Sequence, residues 1–328
     1  MNKVDGNRSS INWTPTLVII ILILLVVIIN IAFASWPLLN LYFLRGIFPS
    51  TYPLIDKASL FTDQKDYIIN LDPLRQDLND LVNKNSTTTM SIYFEFLNSG
   101  ANISINQDLR IWPASLSKLP IAMSAMKKVE SGAWKLDTKL RLIDSDRNDL
   151  SGSLYKNPVG TYFSVEQLIM QLMVHSDNTA YTLLSRYMTD AEKQMIVGET
   201  GLSNLYDANG KITGKEYSRL FRTLYTSSFL ERNDSSAILN WLAQSDFSQY
   251  LSTGLDKSVV FANKYGKNLT FQVFANSGIV YVPNRPYLIT VMIQGDLKKN
   301  ADDEEKKAQA LMAEISAKAY QYVVHYQK

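Results

Sequence analysis

The stretch Trp112-Pro113-Ala114-Ser115-Leu116-Ser117-Lys118-Leu119-Pro120-Ile121-Ala122-Met123 places a serine and a lysine three residues apart at the mouth of an apolar run. With Pro113-Ala114 ahead of it and Gly132 as a stop, the run predicts a helix from Ser115 to about Glu130. Ser115 then sits near the positive end of the helix dipole, and Lys118 lies one turn on, within reach of its hydroxyl. A lysine held away from water can give up its proton and act as a base. The same spacing recurs at Ser124–Lys127 and Ser153–Lys156. There it reads as an N-cap serine with a solvated lysine, and Ser115–Lys118 taken alone admits that plain reading too.

Two further segments carry chemistry. Ser176-Asp177-Asn178 falls between a helix opened by the capping box Ser164-Val165-Glu166-Gln167 and a second helix, Asn178 to Tyr187. It is either a turn with an N-cap, or a pair of functional groups: a proton-shuttling hydroxyl on Ser176 and an amide on Asn178 for a substrate carbonyl. Lys264-Tyr265-Gly266 ends a strand. It is either a surface hairpin, or a place where Lys264 faces Ser176 and a substrate carboxylate. In the second case Gly266 lets backbone approach the ligand, and the Lys267 amide joins that of Ser115 as an oxyanion hole.

Composition narrows the alternatives. The 328 residues carry a net charge of +2, which gives no electrostatic footprint for nucleic acid. With no cysteine and only His175 and His325, a Cys-ligated or His-rich zinc site is excluded, and no metal or cofactor is expected. No Gly-x-Ser-x-Gly elbow occurs, so a serine nucleophile here is expected to use a base other than histidine. His175 reads as a packed helix-end residue.

The ends of the chain set its expected organisation. No charge occurs between Arg8 and Arg45, and Leu17 to Phe33 is almost wholly Leu, Ile and Val. This predicts a membrane signal-anchor over 15–44 behind a short cytoplasmic tail, 1–14, with Lys3 and Arg8 favouring N-in, C-out. Ala32-Phe33-Ala34 also fits a cleavage site after Ala34. Residues 45–71, with Pro49 and Pro53, read as a stalk, and 72–328 as the folded domain. In that domain a short helix is predicted over Pro73 to Val82 and strands over Met90 to Leu97 and Asn102 to Asn106. A helix opened by the capping box Thr213–Glu216 follows. Four later strands are predicted over Val259–Lys264, Leu269–Ala275, Ile279–Val282 and Tyr287–Gln294. Turns fall at Gly266-Lys267-Asn268 and Pro283-Asn284-Arg285, and a C-terminal amphipathic helix starts near Asp302. Strands flank a helical middle: an α+β plan, with an antiparallel sheet built from both chain ends and an all-helical lobe.

The three motifs in this order resemble those of the penicillin-recognising serine enzymes, specifically the class A β-lactamases. The likeness runs from about Pro73 to the C-terminus and includes HSDNTAYTLL, FANKYGK, NSGIVYV and RPYLITVMI. It implies a two-lobed fold with the site at the lobe boundary, acylation of Ser115 assisted by Lys118, and roles for Ser176, Asn178 and Lys264 as above. The implied partner is a β-lactam or a D-Ala-D-Ala-type peptide, met by a monomer in a bacterial envelope. Two departures stand out. Class A enzymes carry Glu-x-x-Leu-Asn on a loop between the second and third motifs, and its glutamate activates the deacylating water. No such segment occurs here; the glutamates available are Glu192, Glu199, Glu216 and Glu231. Tyr265 stands where the family has Thr or Ser, whose hydroxyl helps to hold the substrate carboxylate. Three functions follow as expectations: a β-lactamase-like hydrolase with weak deacylation, a D,D-carboxypeptidase-like enzyme, or a non-hydrolysing binding or sensor protein.

Overall fold

The computed structural model describes residues 70–326 continuously, together with 24–26, 53–55 and 68. The chain divides into two units, Met1–Pro53 and Leu54–Lys328. In the first, only Leu24–Val26 and Pro53 are described; Leu24–Val26 are helical and exposed. The predicted anchor otherwise lies outside the described residues, among which no helix is long and apolar enough to cross a membrane. The predicted tail and most of the stalk also lie outside them.

The second unit begins with α1 (Asp72–Lys84), β1 (Thr89–Phe96), β2 (Ala101–Ile105) and β3 (Arg110–Ile111). It continues through α2 (Lys118–Glu130), β4 (Lys139–Arg141), β5 (Tyr162–Ser164), α3 (Val165–Val174), α4 (Asn178–Arg186), α5 (Asp190–Thr200), β6 (Ile212–Thr213), α6 (Gly214–Thr226) and α7 (Arg232–Ala243). Strands β7 (Phe261–Asn268), β8 (Val273–Val280) and β9 (Tyr287–Gln294) and helix α8 (Ala301–His325) complete it. The five long strands form one antiparallel sheet in the order β2-β1-β9-β8-β7, so both chain ends do build it.

Alternation along the strands decides what each face meets. Met90, Ile92, Phe94 and Phe96 of β1 and Ile289, Val291 and Ile293 of β9 pack in one core with Leu74 and Leu78 of α1 and Leu311, Met312 and Ile315 of α8. The opposite face carries a buried polar row, Tyr93–Thr290–Ser277–Lys264, one residue from each of β1, β9, β8 and β7. Strand β7 closes the sheet at this end, which leaves one edge of its backbone facing away from β8.

Two boundaries differ from expectation. The predicted turn at Gly266-Lys267-Asn268 lies inside β7, where these residues pair with Ala275, Phe274 and Val273. The reversal comes at Leu269–Gln272, with Gln272 at φ +46°. The predicted strands Leu269–Ala275 and Ile279–Val282 are correspondingly one strand, β8. Its polar middle stays buried because it is hydrogen-bonded. Asn276 donates to Asn263 Oδ1 and the Lys264 carbonyl and accepts from the Leu251 amide, and the Ser277 and Thr290 hydroxyls pair at 2.6 Å.

Candidate active site

The nucleophile segment is a 3₁₀ turn, Ala114–Ser117, followed by α2, rather than one helix from Ser115. Pro120 explains how the two parts join. Proline is tolerated in a helix's first turn, but it has no N–H for the carbonyl four residues back, that of Leu116. Tyr217 of α6, fully buried, supplies the missing donor: its hydroxyl donates to the Leu116 carbonyl at 2.9 Å. Ala114 pays for the geometry with φ +48°, an uncommon conformation for a residue with a Cβ.

This turn aims Ser115 Oγ at Lys118 Nζ, 3.2 Å away. Lys118 is 3 % exposed and lies near three further oxygens: the Ser176 carbonyl at 2.5 Å, Ser176 Oγ at 3.0 Å and Asn178 Oδ1 at 2.5 Å. Burial pulls its pKa from the ordinary 10.5 to about 8, partly opposed by the Asp177 carboxylate. The partners then assign the proton traffic. A carbonyl and an amide oxygen can only accept, so they take the two N–H bonds of a neutral amine. The amine's lone pair is left for a hydroxyl, and both hydroxyls in range, Ser115 and Ser176, can donate. A neutral Lys118 is thus poised to take the Ser115 proton as the oxygen attacks.

Ser176 is fully buried and adopts φ +53°. A non-glycine residue in this region costs about 1–3 kcal/mol and persists only where its surroundings hold it. What the strain yields is visible: both oxygens of Ser176 converge on one ammonium position. Asp177 holds the triplet in place. Its carboxylate caps α4 at the Ala180 amide (2.9 Å) and accepts from the amides of Ser153 (2.6 Å) and Leu154 (2.9 Å). The chain fits around it only because residue 152 is glycine: φ is +86°, and a Cβ there would lie 2.0 Å from Asp177 Oδ2. Asn178 is oriented by Asn148, whose Oδ1 accepts from Asn178 Nδ2 at 2.9 Å and so turns Oδ1 of Asn178 towards Lys118.

The edge of β7 supplies the other wall. A Cβ on Gly266 would lie 2.8 Å from the Ser115 amide nitrogen and 2.9 Å from the Pro113 carbonyl. Backbone therefore packs directly on backbone here. Lys264 is fully buried and its Nζ has no hydrogen-bond partner among the described residues. Burial, and then the charge of Lys118, hold its pKa well below the usual lysine value. An unpaired buried amine is costly, and an anionic ligand group would relieve it.

Tyr265 and the Lys267 side chain fall elsewhere. Adjacent strand residues point to opposite faces, so with Lys264 and Gly266 towards Ser115 these two side chains point to the α8 side. The Tyr265 ring packs on Phe247, with centroids 3.6 Å apart, and near Tyr250 at 6.2 Å. Lys267 Nζ pairs with Glu305 of α8 at 3.0 Å, so only its backbone is available to the site. Tyr265, a substrate-binding candidate in the sequence, thus has its ring on Phe247 and Tyr250, with Lys264 Nζ 5.1 Å from the ring centroid. His175 caps α3 and pairs through Nδ1 with Asp246. Asn148, Gly152 and Tyr217 were not singled out from sequence. Only Gly152, a glycine in a Ser-Gly-Ser loop, left a local sign.

Fold and site together fit a serine hydrolase of the acyl-enzyme type. The chain belongs to the Beta-lactamase enzyme family, whose model matches residues 73–323. Among characterised relatives, Beta-lactamase VEB-1 of Pseudomonas aeruginosa is 20 % identical over 252 residues, covering 70 % of this chain and 84 % of that protein. Among solved structures, PBP-A, including an acyl-enzyme complex of a point mutant with penicillin G, superposes with a TM-score of 0.70 at 23 % identity. That complex covers 78 % of this chain and 98 % of PBP-A. A β-lactamase from Sphaerobacter thermophilus gives 0.67 at 18 %, covering 79 % and 99 %. These structural likenesses show the shared two-lobed fold.

Proposed function

We propose that Ser115 is acylated by β-lactams and by related D-Ala-D-Ala-type peptides, with Lys118 as the base. In this reading Ser176 shuttles a proton to the leaving nitrogen, Asn178 contacts the substrate's amide group, Lys264 meets its carboxylate, and the amides of Ser115 and Lys267 bind the oxyanion. The observation that carries it is the buried contact of Lys118 Nζ with Ser115 Oγ at 3.2 Å and Ser176 Oγ at 3.0 Å, which joins two motifs 58 residues apart.

Deacylation is slow in this reading. Among the described residues no carboxylate hydrogen-bonds to Ser115, Lys118 or Ser176. Glu192 caps α5 and pairs with Lys128, and Glu216 caps α6 and pairs with Arg110. Glu199 and Glu231 are exposed. A penicillin-binding enzyme that keeps its acyl group is therefore favoured over an efficient β-lactamase. The reading also places the enzyme outside the cytoplasm on an N-terminal anchor over 15–44, on the strength of the uncharged run from Ser9 to Leu44.

The test is covalent labelling of the full chain with a fluorescent penicillin. Label that appears on Ser115 and persists is expected, and none in Ser115→Ala. Rapid release of label would replace this reading with that of a working β-lactamase. Equal labelling of wild type and Ser115→Ala would end it.

A further inference from the structure

The segment between α7 and β7 touches both halves of the site from behind. The Asp246 amide donates to the Val174 carbonyl at 3.2 Å, and its carboxylate pairs with His175 Nδ1, immediately before Ser176. The next residue, Phe247, stacks on Tyr265, immediately after Lys264, with ring centroids 3.6 Å apart and planes at 37°. Tyr265 is backed in turn by Tyr250, whose hydroxyl is held by Glu305 at 3.0 Å. One dipeptide is thus in contact with the chain neighbours of two functional side chains that lie 88 residues apart in sequence, on a helical connection and on a sheet edge.

We infer that Asp246 and Phe247 are positioning residues that hold Ser176 and Lys264 in register across the cleft, and that Tyr265 is their anchor on β7. The inference rests on the acyl-enzyme reading of Ser115 for its kinetic consequence. Its structural content does not. Ser176 needs its surroundings to maintain φ +53°, and Lys264 Nζ, with no hydrogen-bond partner among the described residues, lies 5.1 Å from the centroid of the Tyr265 ring. The tie supplies to each a neighbour held from outside the cleft. The His175–Asp246 pair is solvent-exposed, with side chains 37 % and 57 % accessible. Such pairs add little to global stability, so variants at Asp246 remain folded and the loss reads locally.

The test compares the full chain with Phe247→Leu, Phe247→Tyr, Asp246→Asn and, as a core control on α1, Leu78→Ala. Two quantities are read: the limiting rate and half-saturating concentration for labelling by fluorescent penicillin, and amide hydrogen exchange over 174–178 and 261–268. Because small misplacements of reacting groups cost rate steeply, Phe247→Leu is expected to lower the limiting rate about tenfold and Asp246→Asn about threefold. The half-saturating concentration should change less, and exchange should quicken in both segments. Phe247→Tyr, which keeps the ring, restores both readouts, and Leu78→Ala lowers the melting temperature without slowing labelling. Unchanged exchange in Phe247→Leu, or exchange that rises in 261–268 alone, overturns the inference. So does a rate loss in Leu78→Ala equal to that in Phe247→Leu. If wild type takes no label, the acylation reading fails, and the exchange data alone decide for or against the tie.

Discussion

Acylation of Ser115 should rise tenfold per pH unit below about pH 8 and level off above it. The magnitude comes from Lys118. Burial lowers its pKa from 10.5 to about 8. At pH 7 an unshifted lysine would be neutral in roughly one molecule in three thousand, and one titrating near 8 in roughly one in ten. Dehydrating this one side chain therefore supplies about 300 times more base at neutral pH, equivalent to ~3 kcal/mol. Initial labelling rates with fluorescent penicillin between pH 6 and 9.5 read this directly. Lys118→Arg fills much of the same space but stays charged, so its rate should fall by about 10²–10⁴ and lose the rise through pH 8. A profile flat from pH 6 to 9 in the wild-type chain would refute the assignment, as would an arginine variant that labels normally. Stability gives a second check. A lysine whose pKa is depressed on folding contributes stability above its ordinary pKa and loses it as the pH falls through about 8. Wild type should accordingly gain on Lys118→Met by up to ~1.4 kcal/mol per pH unit between pH 8 and 9.5 in denaturant titrations.

Other perturbations act on the framework. Gly266→Ala would put a methyl group 2.8 Å from the Ser115 amide; labelling should drop by roughly 10²-fold or more with the fold retained, as circular dichroism would show. Gly152→Ala meets the Asp177 carboxylate at 2.0 Å from a left-handed backbone and should cost about 3 kcal/mol, seen as a melting temperature lower by roughly 5–10 °C. Tyr217→Phe leaves the Leu116 carbonyl short of its donor; a loss of about 1–3 kcal/mol in denaturant unfolding and slower labelling are expected. Replacing Glu192, Glu199, Glu216 and Glu231 in turn by Gln should leave the lifetime of the acyl group unchanged in pulse–chase labelling. A change of tenfold in any one of them would identify a deacylating base.

Much of the framework was legible because its causes are local. The capping boxes Ser164–Gln167 and Thr213–Glu216 open α3 and α6 as expected, since the groups that satisfy a helix's first amides lie within one turn. The stripe Leu311, Met312, Ile315 and Ala319 faces the core. Helix α5 escaped the periodicity reading because only Ile196 and Thr200 of its residues are buried, although Thr189–Glu192 forms a third capping box. The error at Gly266 has a different origin. A glycine ahead of Lys-Asn reads as a turn, but its lack of a Cβ serves contact with the Pro113–Ser115 backbone some 150 residues earlier.

The sequence by itself determined the chemical inventory: Ser115 and Lys118 one turn apart, Ser176-Asp177-Asn178 between two helices, a lysine and a glycine on a late strand, and no cysteine to offer another route. It could not separate Ser115–Lys118 from Ser124–Lys127 or Ser153–Lys156 by spacing. The tertiary structure did that. Only at Lys118 do burial, two acceptor-only oxygens and two hydroxyls converge on the ammonium position. A lysine becomes a base when burial strips water from its charged form faster than nearby acceptors and carboxylates restore it. That balance is set by residues distant in the chain, which no local pattern records.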